Sequence, residues 1–175
     1  MKKILLIIFL GFSFYGFSQE VKYGVRGGYN ISNLDFEGTP PTMENKHRNS
    51  IYIGFFGDIR LSKTVSLVPE LQFSAEGAKV EAYHLDYIQA PVLFKFRLSE
   101  KIRFALGPQV GLKVNKVEDA AKNMGYSGVA GIEYKLSHML FADLRYTYGI
   151  TNVFDDYLPF EAKNANIQIG VGYKF

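Results

Sequence analysis

Few residues in this 175-residue chain have side chains that do covalent chemistry, and their spacing narrows the options further. The sequence has no cysteine, which removes thiol nucleophiles, thiolate metal sites, disulfide frameworks and a lipid-bearing N-terminal cysteine. The three histidines, His47, His84 and His138, lie far apart in sequence, and a metal centre wants several ligands converging at close spacing. Serine hydrolysis needs serine and histidine together; His84 is the only candidate base, and no His-x-Ser pair lies near it. Gly24, Gly27 and Gly28 sit in alternating, strand-like sequence rather than at a strand-to-helix turn, so they do not form a phosphate loop. The expectation is a protein that is not an enzyme, with no catalytic, cofactor-binding or metal-binding residue and no cofactor.

What remains is charge. Arg26, Asp58, Arg60, Glu70, Glu76, Lys95, Arg97, Arg103, Glu133, Lys135, Asp143 and Arg145 all fall on one face of an alternating pattern. The opposite face reads Val21, Tyr23, Val25, Gly27, Tyr29, Ile31 in the first segment and Ala165, Ile167, Ile169, Val171, Tyr173, Phe175 in the last. Six further segments repeat the alternation: 50–61, 67–76, 88–98, 102–114, 126–136 and 140–150. None of the eight apolar stripes contains a charge. Period-two alternation marks strands with unlike faces, and runs of about ten residues match a tilted membrane-crossing strand better than the five or six usual in soluble domains. Tyrosines near stripe ends, such as Tyr29, Tyr134 and Tyr173, suit an interfacial girdle. A soluble barrel with the apolar stripe inside would have to hold too many aromatic side chains in a lumen that eight strands leave barely wide enough to fill.

Connections alternate strictly between short and long. Ser62-Lys63-Thr64, Ser99-Glu100-Lys101 and Ser137-His138 are short; 33–49, 77–86, 115–125 and 151–164 are long. That asymmetry is the pattern of outer-membrane barrels, with short periplasmic turns and longer outer loops. The fold expected is therefore all-β: an eight-stranded antiparallel up-and-down transmembrane barrel over residues 19–175. Residues 1–18 read as a cleavable signal peptide, with Lys2-Lys3, an apolar run from Ile4 to Tyr15, and Gly16-Phe17-Ser18 before the cut. Export then follows the general secretory route, to the outer membrane. Losing Lys2 and Lys3 leaves 18 basic against 17 acidic residues, a balance without the basic footprint of nucleic-acid binding. With 47% hydrophobic and 21% charged residues the chain is neither disordered nor a helical membrane protein.

The stretch Tyr87-Ile88-Gln89-Ala90-Pro91-Val92-Leu93-Phe94-Lys95-Phe96 and the segment Leu144 to Asn152 resemble the Tyr-x-x-x-Pro-x-Leu-x-Lys strand and the Arg-Tyr-x-x-Gly segment of the PorT-like outer-membrane β-barrel family. Gly24 to Asn33 resembles its opening strand, and Gly107-Pro108-Gln109-Val110-Gly111 its Gly-Pro step. Val171 to Phe175 looks like the C-terminal signal read by the barrel assembly machinery. The resemblance implies a small barrel without assigned activity, whose namesake is implicated in protein secretion.

The reading that follows is a monomer with a structural or interaction role, embedded in outer-membrane lipid. Its lumen is closed by paired charges, because burying them unpaired is expensive. Its outer loops carry Asp35, Phe36, Glu37, Pro40 and Pro41 in the first and Phe154, Asp155, Asp156, Tyr157, Phe160 and Glu161 in the fourth, solvated or open to a protein partner or divalent cation. The rival readings are a small channel or porin, an accessory of a secretion system, a lipid-modifying enzyme and a soluble ligand-binding barrel.

Overall fold

The computed structural model describes residues 21–37, 46–115, 122–154 and 161–175. Eight strands follow in chain order: β1 (Val21–Glu37), β2 (Arg48–Arg60), β3 (Val65–Gly77), β4 (His84–Arg97), β5 (Ile102–Lys113), β6 (Met124–Lys135), β7 (Leu140–Gly149) and β8 (Glu161–Lys174). Each pairs antiparallel with its sequence neighbours, and β1 pairs with β8 to close the barrel. Closure matters because lipid offers no hydrogen bonds to a free sheet edge. The β1–β8 seam runs from Gly24 opposite Lys174 to Glu37 opposite Glu161, and the Phe175 amide extends it by donating to the Tyr23 carbonyl at 2.9 Å.

The alternation read from the sequence is the alternation in space. Ile51, Phe55, Leu71, Leu144, Val171 and Phe175 face outward and are exposed, whereas Tyr52, Phe56, Leu93 and Phe141 point into the lumen and are buried. Leu71 is 57% exposed while its chain neighbours Glu70 and Gln72 are 7% and 2% exposed. Tyr134 and Tyr173 stand exposed near the short-turn end, and Tyr29 is exposed midway along the longer β1.

The three short turns share one construction. Leu61-Ser62, Leu98-Ser99 and Leu136-Ser137 each leave a strand, and both amides of each pair donate to the carbonyl of Val65, Ile102 or Leu140. Each serine Oγ accepts from the backbone amides two or three residues on: Val65 to Ser62, Ile102 to Ser99 and Leu140 to Ser137, each at 3.0 Å. Serine is suited to this because its hydroxyl satisfies turn amides that no strand partner can reach.

Two expectations need correction. Asp35, Phe36 and Glu37, expected in the first outer loop, lie on β1 and pair with Lys163, Ala162 and Glu161 of β8, so Glu161 is also on a strand. His84 opens β4 rather than sitting within a loop. Alternation loses its apolar stripe here because the strands continue past the level of lipid, where the outward face no longer has to be apolar. Pro40, Pro41, Asp155, Asp156, Tyr157 and Phe160, and the signal segment 1–18, lie outside the described residues.

Depth in the membrane sets the cost of an outward charge. Leu71→Arg should destabilise the inserted barrel by roughly 2–4 kcal/mol, and Leu136→Arg, at a turn, by about 1 kcal/mol or less. Urea titration of both variants in liposomes measures the difference; equal losses would mean that Leu71 does not face the membrane midplane.

Candidate functional site

Barrel closure at eight strands leaves a narrow interior, and every inward residue has to fit its neighbours there. From the short-turn end outward, the lumen is built in layers. The first joins Lys95, Lys174 and Arg103 to Asp58 and Glu133. Lys95 donates to Glu133 at 2.6 Å, Lys174 to Glu133 at 3.0 Å and to Asp58 at 3.1 Å, and Arg103 to Glu133 at 3.0 Å. Above it Phe56 and Phe141 meet edge to face at 5.7 Å, packed with Val68, Leu93, Ala105 and Val129. The Lys174 ammonium lies 4.9 Å from the Phe141 ring centre, so the rings both bury apolar area and receive the cation.

The third layer is a four-membered ion network. Arg145 grips Glu70 through two bonds of 2.7 and 2.8 Å, the bidentate arrangement that guanidinium and carboxylate planes favour. Arg26 reaches Glu70 at 3.4 Å, Asp143 at 3.1 Å and the Tyr52 hydroxyl at 2.9 Å, with its guanidinium 4.5 Å from the Tyr52 ring centre. Two cations meet two anions, all with side chains 6% exposed or less. Glycine makes room for these groups. A Cβ at Gly170 would strike the Tyr52 hydroxyl and the Gly27 carbonyl, and one at Gly172 would strike the Phe141 ring.

Next comes a belt of amides around one carboxylate. Glu76 accepts from Ser74 at 2.7 Å, Gln89 at 2.9 Å, Asn166 at 3.0 Å, and from Asn164. Asn30, Gln72 and Gln168 extend the belt to Ser74 and Gln89. No cation pairs with the Glu76 carboxylate among the described residues. Toward the outer end, Leu34, Ala78, Leu85, Tyr87, Val153, Phe154 and Ala162 form one buried apolar cluster. Phe36, Tyr83 and Phe154 complete it as a triangle of rings with centres 5.9 to 6.3 Å apart.

Of the twelve charges read as inward-facing, Arg26, Glu70, Asp143 and Arg145 form one network, and Asp58, Lys95, Arg103 and Glu133 belong to the other. Glu76 stands apart, and Arg60, Arg97 and Lys135 lie at the short-turn rim, the first two exposed. Lys174 joins the first layer without having been counted among the twelve, although it sits on the inward stripe. The amide belt was visible as polar residues on that stripe. The aromatic cap was not, and Phe154, expected as a loop residue facing solvent or a partner, is only 5% exposed. The histidines do not converge: His47 bridges to Ala78 and His84 approaches the Lys79 carbonyl at the outer end, while His138 lies in a turn at the opposite end.

Glu70 is the anion on which both buried arginines converge. Glu70→Ala should cost on the order of 3–5 kcal/mol, because it leaves buried positive charge without a partner. Glu37→Ala, which removes an exposed partner of Lys163, should cost about 1 kcal/mol or less. Denaturant midpoints in the same lipid compare the two; a Glu70 loss as small as that of Glu37 would mean that the third layer is hydrated.

The sequence matches a family described as outer membrane protein beta-barrel domain over residues 17–155. No curated protein matches it. Among solved structures it is similar to Ail, the attachment invasion locus protein of Yersinia pestis, at 16% identity and a TM-score of 0.59, covering 89% of this chain and 99% of that one. It is also similar to Neisserial surface protein A, at 12% identity and a TM-score of 0.59, covering 87% and 97%. Identities this low speak to the fold alone, but the family match spans most of the chain. With a closed eight-stranded barrel whose outer face is apolar, this chain belongs to the outer membrane protein beta-barrel domain family.

Proposed function

We propose that this protein is a monomeric, closed outer-membrane barrel that works through its outer end as an interaction or structural module, and is neither an enzyme nor an open pore. The observation that carries the reading is the filled lumen. A four-membered ion network spans it at mid-height, and Phe36, Tyr83 and Phe154 pack ring against ring toward its outer end. Side chains that pair with one another use the donors and acceptors a water column would need.

An interaction role at the outer end draws support from its architecture. β1 and β8 project beyond the apolar band and carry Asp35, Glu37 and Lys163, with Asp35 accepting from the Tyr148 hydroxyl at 3.0 Å. Strands held in register present loops on a rigid base, where binding function concentrates. Ail is by name an attachment protein, and one of its structures, with a TM-score of 0.54 to this chain, is a complex with the heparin analogue sucrose octasulfate. That similarity in fold makes adhesion the form of interaction to test first. The PorT-like resemblance of Tyr87–Phe96 is the ground for the finer family placement and for the accessory role in secretion as a second reading. Export by the general secretory route, cleavage after Ser18 and delivery to the barrel assembly machinery through the Val171–Phe175 strand belong to the same proposal.

Purified protein in planar bilayers should give at most rare, flickering current events. Steady single-channel steps whose ion selectivity changes on neutralising Glu70 or Arg103 would overturn the closed-lumen reading in favour of a channel. Deleting Phe175 should lower the amount of heat-modifiable, folded protein in the outer membrane while leaving export intact. Wild-type levels of folded protein in that deletion strain would remove the assembly role of the last residue.

A further inference from the structure

The two ion networks of the lumen differ in balance. At mid-height two arginines meet two carboxylates. In the layer nearest the short turns, Lys95, Lys174 and the partly buried Arg103 share, among the described residues, Asp58 and Glu133, which leaves one positive charge over. Both lysines bond the same Glu133, so like charges are brought together in a site where side chains are at most about one-fifth exposed. Desolvated charge without a counter-charge is costly.

Directly below this layer the barrel opens into a cavity of about 50 Å³. A single water needs roughly 10–15 Å³ on the same measure, so several waters or one group of phosphate size can fit. Of its twelve lining residues seven are lysine or arginine and one, Asp58, is acidic. The exposed Arg60 and Arg97 stand at the rim beside the turn lysine Lys63, and Thr64 and Ser66 line the same space. Guanidinium forks and ammonium groups around a surplus cation are the donor set that takes a tetrahedral oxyanion. The mouth lies at the end marked by the exposed Tyr134 and Tyr173, the height at which barrels meet lipid headgroups.

We infer that the short-turn mouth of this barrel is an oxyanion-binding site for a phosphate group, supplied either by free phosphate or by the headgroup of an anionic phospholipid of the adjoining leaflet. The anion would neutralise the surplus charge of the Lys95–Lys174–Arg103 layer and be gripped at the rim by Arg60 and Arg97. This inference does not depend on what the outer end binds, because it concerns the opposite mouth.

The test uses the mature protein folded in detergent, with sodium phosphate exchanged for sodium chloride at constant ionic strength. Wild-type protein should show a saturable rise in its thermal unfolding midpoint with half-saturation in the millimolar range. The double variant Arg60→Gln/Arg97→Gln, changed only at exposed rim positions, should need at least tenfold more phosphate. A parallel arm extracts the protein from micelles containing phosphatidylglycerol and phosphatidylcholine and reads bound lipid by native mass spectrometry. A phosphatidylglycerol adduct that the double variant loses, without a phosphate shift, assigns the site to a headgroup; a phosphate shift without an adduct assigns it to a free oxyanion. A phosphate effect that never saturates or is the same in both proteins, together with no variant-sensitive adduct, overturns the inference. Retained heat-modifiability of the variant shows that its barrel is folded.

Discussion

A hydrocarbon solvent accepts no hydrogen bonds, and from that constraint most of this molecule follows. Strands can cross lipid only if every backbone amide and carbonyl between them is paired, so the sheet must close. The long β1–β8 seam, continued by Phe175 onto Tyr23, meets that demand at the point where the chain's two ends would otherwise leave free edges. The pairing is not perfect elsewhere. The β2–β3, β3–β4 and β4–β5 ladders each skip two positions, and each gap contains a proline: Pro69, Pro91 or Pro108. Proline has no amide to give, yet the register on the two sides of each gap is the same, so the neighbouring pairs hold the strands in place.

Closure with eight strands then dictates the interior. Inward residues cannot be solvated individually in so narrow a space, so charge must meet charge and amide must meet amide. Arg26, Glu70, Asp143 and Arg145 do so in one network, while the Glu76 carboxylate is held by Ser74, Gln89, Asn164 and Asn166. Rings fill what the polar groups leave, and Gly170 and Gly172 provide the wall space for Tyr52 and Phe141. Neutrality fails at the short-turn mouth, the one lumen layer in which the described cations outnumber the carboxylates they pair with.

The barrel, its facing and its turns were legible in the sequence because lipid enforces a strict period of two. Any slip by one residue would turn Glu70 or Arg145 into the membrane. The partners inside were not legible. Alternation tells which side a residue faces but not its height. Strand tilt brings Arg26 to residues 44 and 117 positions away, on strands that are not adjacent to each other. The aromatic cap escaped for a different reason: Phe36 and Phe154 sit beyond the apolar band, where the outer stripe no longer marks strand continuation. The serine of each short turn was visible in Ser62, Ser99 and Ser137, but its hydrogen-bonding role becomes clear only from the amides that converge on it.

The central claim is that the middle of the lumen is dry and held by ion pairing, and proton exchange at the arginines tests it most directly. In lipid nanodiscs, nuclear magnetic resonance can follow the guanidinium protons of Arg145 and Arg26 against those of Arg97 at the exposed rim. The account predicts resolved, slowly exchanging signals for Arg145 and Arg26 and rapid exchange for Arg97. Exchange at Arg145 as fast as at Arg97 would mean that water reaches the mid-lumen, and would contradict the account.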